Sequence, residues 1–294
     1  MYKIIETSGQ DDWLNKRLQG IGASEAPIIM GVNYRKSLLQ LWGEKIGLLE
    51  PDDLSNIEHL YWGSVLELPI LRRFGESSGH LAMYSGELLR SSDHPWAQCT
   101  LDGWVLSGDE RYPLEIKNSN AFMASEWESG PPPIYWLQVQ HQLLVTGQKN
   151  GYIAALLGGN RLIWDEVQRD DIAINALIAK GSEFWRCVVE CIQPDVTEHD
   201  GSALYRLHPD DNDEVVTLPS LFVGLSNELD SLKSSRKAIS DEISLIENKI
   251  KAAIGDASYG VLPDGSGYSW KAQTRKAHTV KESTSRVLRR TKGK

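Results

Sequence analysis

The alternation of apolar and polar positions divides the chain into a helical opening, a strand-rich middle and a helical end. Residues 10–19 carry Trp13 and Leu14 on an otherwise polar stretch, which predicts a short helix. Ser24, followed by Pro27, predicts a helix start that runs to about Met30. A hydroxyl caps free N–H groups, and proline is tolerated in a first turn. Ser37 caps the next candidate, with Leu38, Leu41, Trp42 and Lys45 at helical spacing. From Asn56 the apolar positions Ile57, Leu60, Tyr61, Val65 and Leu66 are helical again. Pro69 should kink or divide this helix, and Gly75 should stop it.

Strand-like runs follow at Leu81–Tyr84, Leu88–Arg90, Cys99–Leu106 and Tyr112–Asn118. Gly108-Asp109 turns the last two into a hairpin. A helix is expected from Ile134 to about Val145, ended by Gly147. A second hairpin, Tyr152–Leu157 with Leu162–Val167, turns at Gly158-Gly159-Asn160. Asp170 opens a long helix to about Cys191. Residues 194–216 are polar and read as a linker or loop. Leu221–Ile254 is one long helix whose apolar spacing approaches a heptad, interrupted by Arg236. A short hairpin, Tyr259–Leu262 with Tyr268–Ala272, ends the pattern. The order predicts an α+β fold with α/β-like features: a central mixed β-sheet flanked by helices, and a C-terminal helical and β appendage. Three parts are expected: residues 1–193, a linker or loop at 194–216, and 217–294.

Composition adds limits. The chain has 294 residues, 41% of them hydrophobic and 24% charged, as in ordinary soluble proteins. No apolar run is long enough to span a bilayer, and the first residues lack a signal-peptide layout. Cys99, Cys187 and Cys191 form neither a CxxC pair nor an even disulfide set, which predicts a cytoplasmic setting. A formal net charge of −9 argues against a protein that coats DNA by long-range attraction. The tail from Lys271 is basic, with Arg275, Lys276, Lys281, Arg286, Arg289, Arg290, Lys292 and Lys294 against Glu282. It either contacts DNA together with Tyr268 and Trp270 or is a plain basic end. The long helix could pack on the body, self-associate or bind a partner.

One constellation carries chemistry. Asp102, on the preceding strand, stands just before Leu114-Glu115-Ile116-Lys117 and reaches the same spot if the two strands pair. Alternate residues share a face, so Glu115 and Lys117 point together while Leu114 and Ile116 enter the core. Two carboxylates suit a hard ion such as Mg²⁺, which stabilises charge on a phosphate in transition. A metal would lower the Lys117 pKa and the carboxylates would raise it. Two roles therefore stand for Lys117, deprotonating the attacking water or stabilising charge. Arg17 and Ser24 form a separate candidate, a capped helix start beside a bidentate cation, suited to an anion.

These blocks stand in a recognisable order. Trp13, Leu14 and Arg17 precede Ile21-Gly22-Ala23-Ser24-Glu25, and Trp62-Gly63 precedes Glu67. Thr100-Leu101-Asp102-Gly103 precedes Leu114-Glu115-Ile116-Lys117. Tyr135, Gln138 and Gln140 precede Val145-Thr146-Gly147. Over residues 10–190 the chain resembles the lambda exonuclease and YqaJ-type recombinase branch of the PD-(D/E)xK nuclease superfamily. The resemblance implies a restriction-endonuclease-like core and a Mg²⁺-dependent (Mn²⁺-tolerant) enzyme, phage- or prophage-encoded. It would digest one strand of linear double-stranded DNA from the 5′ end, leaving 3′ overhangs for single-strand annealing. Asp102, Glu115, the Ile116 carbonyl and Glu67 would hold metal, and Lys117 would serve the attacking water. Gln138 would stand beside the active site, with Gln140 as second choice. Arg17, Ser24 and Thr100 would receive the 5′-phosphate. The implied partners are DNA ends, a ring-shaped trimer of the chain itself and a single-strand annealing protein, with no membrane. Two rival readings remain: another PD-(D/E)xK enzyme cutting internally, and a non-catalytic DNA-binding assembly protein with a nuclease-like core.

Overall fold

A computed structural model describes residues 1–294 apart from 33–35, 55, 278, 280, 281, 283–285 and 292–294. Lys281, Lys292 and Lys294 of the basic tail therefore lie outside the described residues. The chain divides into two compact units, Met1–Pro209 and Asp210–Lys294.

The first unit is built on a five-stranded mixed sheet. Its strands are β2 (Leu81–Tyr84), β5 (Gly103–Ser107), β6 (Glu110–Ser119), β7 (Asn150–Leu157) and β8 (Arg161–Gln168), in the order β2-β5-β6-β7-β8. Only the central β6–β7 pair is parallel. Parallel neighbours need a crossover, and helix α5 (Pro133–Thr146) supplies it. A second, three-stranded sheet joins β1 (Tyr2–Ile5), β3 (Leu88–Ser91) and β4 (Gln98–Thr100). The run expected as one strand from Cys99 to Leu106 is thus split at Leu101-Asp102, with its halves in different sheets. β1 was not foreseen. Its partner β3 lies far along the chain, with Tyr2 opposite Ser91.

Each face of the larger sheet is shut by a helix. Ile70, Leu71 and Phe74 of α4 (Glu58–Ser78) pack on Val105, Leu114, Ile116, Tyr152 and Ala154. Val139, Leu143, Leu144 and Val145 of α5 cover Trp104, Ile153 and Ala155 on the other face. α4 is one helix, neither divided at Pro69 nor stopped at Gly75. Pro69 and Val65 are both exposed, so water can reach the Val65 carbonyl that Pro69 leaves without an N–H. The helix ends instead at Gly79, whose φ of 75° supplies the left-handed cap.

A third core draws on α3 (Leu38–Lys45) and α6 (Asp171–Val189), whereas α1 (Gln10–Leu18) has no buried residue. Ser37 caps α3 by accepting from the Gln40 N–H at 3.1 Å, and Asp170 caps α6 by accepting from Ile172 and Ala173. Within the expected linker at 194–216 lies a further helix, α7 (Gly201–Leu207). Its Ala203 is buried with Ile21, Trp42 and Phe184, so this stretch adds to a core. The helix expected from Ser24 is also revised. A 3-10 turn at Ala23–Glu25 leads into a four-residue α2 (Ala26–Ile29), so Ser24 sits inside the turn and does not cap α2.

The second unit holds α8 (Leu221–Ile254) and a two-stranded hairpin of β9 (Tyr259–Val261) and β10 (Gly267–Ser269). Among the described residues no helix is long and apolar enough to cross a membrane.

Candidate active site

The β5–β6 hairpin sets Gly103 opposite Leu114, which brings Asp102 beside the middle of β6. Its Oδ2 accepts the Ile116 N–H at 2.7 Å. Leu114 and Ile116 enter the α4-side core. Alternation turns Glu115 and Lys117 to the α5 side, where they form an ion pair. Glu115 is 1% exposed and is held from three directions. Gln138 Nε2 donates to its Oε1, Gln142 Nε2 donates to its Oε2, and Lys117 completes the set. Lys117 also stands 5.3 Å from the centre of the Tyr135 ring.

Charge is crowded here. Burial, and then the negative charge of Glu115, hold Asp102 well above the usual carboxylate range. Glu67 on α4 is half-buried and is raised for the same two reasons, with Lys117 pulling the other way. Burial alone would push the Lys117 ammonium down. The charges of Glu115 and Asp102 outweigh that and raise it. Three carboxylates thus surround one ammonium, and a divalent cation would balance the excess. The donors are hard oxygens, from Asp102, Glu115, Glu67 and the backbone at Ile116, and they fit an ion of the Mg²⁺ type. Among the described residues no three such side chains already stand close enough to grip an ion, so side-chain rotation would have to complete the set.

The residues expected at the site are not all brought together. Gln140 is fully buried but serves elsewhere: it donates to the Gln168 carbonyl and accepts from the Asp170 N–H, tying α5 to the junction of β8 and α6. Gln142 was missed as a site residue. Its spacing of four from Gln138 puts both on one helical face, and that was the available signal.

Arg17, Ser24 and Thr100 line one pocket with Trp13, Gln98 and Gln138. Arg17 donates to Ser24 Oγ at 2.9 Å and lies over the Trp13 ring, whose Nε1 donates to Thr100 Oγ1 at 3.3 Å. α2 is only four residues long, so the polar character of this pocket comes from these side chains and not from a helix terminus. Gln138 belongs to both places, because it lines the pocket and also holds Glu115.

Residues 12–149 match the model of the YqaJ-like viral recombinase domain. The uncharacterized protein YqaJ of Bacillus subtilis (strain 168) is 30% identical over 260 residues, which cover 86% of this chain and 81% of that protein. This chain belongs to the YqaJ-like viral recombinase family. Two solved structures share its fold. The alkaline exonuclease LHK-Exo of Laribacter hongkongensis aligns with a TM-score of 0.53 at 22% identity, over 62% of this chain and 94% of that one. LHK-Exo in complex with dAMP aligns with a TM-score of 0.54 at 21% identity, over 67% and 97%. Most of the family match lies on the part of the chain that carries Arg17, Ser24, Glu67, Asp102, Glu115, Lys117 and Gln138.

Proposed function

We propose that this chain is a divalent-metal-dependent exonuclease, served by Mg²⁺ with Mn²⁺ as a substitute. It digests one strand of linear double-stranded DNA from the 5′ end and leaves 3′ overhangs. The observation that carries this reading is the sharing of Gln138 by two sites. One is a carboxylate and ammonium cluster suited to phosphodiester hydrolysis, and the other is an arginine and hydroxyl pocket suited to a terminal phosphate. An enzyme that cuts internally has no use for the second. Family membership and a fold shared with an alkaline exonuclease support the same class.

In this mechanism Asp102, Glu115, Glu67 and the Ile116 carbonyl would hold the cation. When bound, the cation supplies Lewis-acid stabilisation of charge on the phosphate. Glu115 is fixed by Gln138 and Gln142, so its oxygens are oriented before substrate arrives. Lys117 lies against Glu115 and sets a positive charge beside the attacking water and the transferred phosphate. Arg17, Ser24 and Thr100 receive the 5′-phosphate and set the register of the strand. Assembly as a ring-shaped trimer, cooperation with a single-strand annealing protein and action in the host cytoplasm belong to the proposal and rest on the family resemblance alone.

The test uses purified full-length chain, Mg²⁺ and three DNAs: a duplex with 5′-phosphates, one with 5′-hydroxyls and a covalently closed circle. Nucleotide release from the first at the highest rate, none from the circle, and loss of activity in folded Lys117→Ala are expected. Cleavage of the circle, or full activity in Lys117→Ala, overturns the assignment.

A further inference from the structure

Beneath the Arg17–Ser24 pocket lies a buried polar bracket that no part of the mechanism yet uses. Lys45, on α3, has a side chain only 1% exposed and forms an ion pair with Glu25 at 2.8 Å. Its Nζ also donates to the Gly20 carbonyl at 2.7 Å and to the Arg17 carbonyl at 3.3 Å. Glu25 accepts the Gly22 N–H at 2.8 Å, which closes the turn that carries Ser24. Gln98 donates to the same Arg17 carbonyl, and His141 Nε2 sits between the Ile21 and Gln98 carbonyls at 3.1 and 3.2 Å. The backbone from Arg17 to Glu25 is thereby tied to α3, β4 and α5.

The bracket also sorts charge. Glu25 feels both Lys45 and Arg17, and its carboxyl is held below the usual range because these cations outweigh the effect of burial. A side chain added at Gly22 would meet both the Arg17 guanidine at 3.8 Å and the Glu25 carboxylate at 3.7 Å, so the two groups already flank the same spot. A buried carboxylate needs a cation. Lys45 fills that need, and Arg17 stays turned to Ser24 and the pocket.

We propose that Lys45 is a positioning residue for the end-recognition pocket: by neutralising Glu25 it keeps the Arg17 guanidinium available to the terminal phosphate. This rests on the reading of the pocket as the 5′-phosphate site. Without Lys45, Glu25 captures Arg17 and the pocket loses its cation. Removing both charges releases Arg17 again.

The experiment compares kcat and KM on 5′-phosphate and 5′-hydroxyl duplexes for wild type, Lys45→Met and Lys45→Met/Glu25→Gln, each checked for cooperative melting. Wild type is expected to prefer the phosphorylated duplex by at least about tenfold. Lys45→Met should lose that preference through a raised KM for the phosphorylated duplex, and the double variant should regain it. If Lys45→Met does not fold, Lys45→Gln, which keeps a donor for the Gly20 carbonyl and lacks the charge, takes its place. A folded single variant with wild-type preference overturns the proposal. So does an equal loss on both duplexes that the second substitution fails to restore. A wild-type enzyme indifferent to the 5′-phosphate defeats the pocket reading itself, an outcome seen before any variant is made.

Discussion

In Met1–Pro209, Phe74, Leu143 and Ile153 are wholly withdrawn from water, and each sits in a core shared by a sheet and a helix. In Asp210–Lys294 the helix α8 runs for 34 residues without one buried side chain, and Leu225, Leu229, Leu232, Ile239, Ile243 and Ile246 remain 41–61% exposed. The first unit draws its stability from burial. The second relies on helix propensity and local pairs such as Glu247–Lys251, at 3.0 Å and one turn apart. The contrast matters for chemistry. A unit with a surplus of burial can carry the mutually repelling carboxylates of Asp102, Glu115 and Glu67. The excess charge is a local cost that the surrounding core offsets, and it is available to draw in a cation.

The strongest way to break this comparison is to remove the excess charge. Asp102→Asn keeps the size of the side chain and an acceptor for the Ile116 N–H, yet removes a carboxylate that its surroundings already disfavour. Nuclease activity should fall by about a thousandfold or more. Resistance to urea, measured on the same preparation without added metal, should stay equal or rise. A variant that is both active and less stable would show that the carboxylate cluster is structural.

Much of this site could be read from sequence because it is local. The alternation of Leu114, Glu115, Ile116 and Lys117 assigns their faces without tertiary knowledge, and the caps at Ser37 and Asp170 are set by neighbours three residues away or fewer. What escaped depends on distant partners. β1 is a strand only because β3 offers it an edge. The break at Leu101-Asp102 is invisible in an apolar run, since either half alone is a good strand. α5 defeats periodicity for another reason. Gln140, His141 and Gln142 are successive and all buried, so no polar face separates the glutamine beside Glu115 from the one bracing β8. Choosing among them required hydrogen-bond partners, which sequence spacing does not provide.

A core truncation gives the next largest effect. Leu143 lies between α5 and the sheet at 0% exposure, and Leu143→Ala should cost about 3 kcal/mol of unfolding free energy in denaturant titration. A loss below about 1 kcal/mol would mean that α5 is not clamped to the sheet as described.

Acid should weaken the same unit by a comparable or smaller amount. The buried imidazole of His141 is pushed down to about 4 by burial, against the upward pull of the Gln98 and Ile21 carbonyls and of Glu25. Between pH 4 and 6.5 the unfolded chain binds a proton that the folded chain refuses, so stability rises with pH across this window and is fully present above it. The difference amounts to about 3 kcal/mol at most. Glu25, held low in the folded state, adds to the loss on acidification. His141→Gln, able to donate to the same carbonyls, should flatten the slope of stability against pH between 4.5 and 7. An unchanged slope would remove His141 as its source.

The smallest effect is expected in α8, and it sharpens the contrast most. Leu229 is 41% exposed, so replacing it with alanine removes little buried area. Alanine also has the higher helix propensity, which offsets part of that loss. Leu229→Ala should therefore change the hydrogen-exchange protection of α8 amides by no more than about 0.5 kcal/mol. The Leu143 substitution in the first unit provides the scale for the same measurement. If Leu229→Ala instead cost as much as Leu143→Ala, the apolar stripe of α8 would have to be covered in solution. The second unit would then owe its order to burial after all, and the difference drawn between the two units would fall.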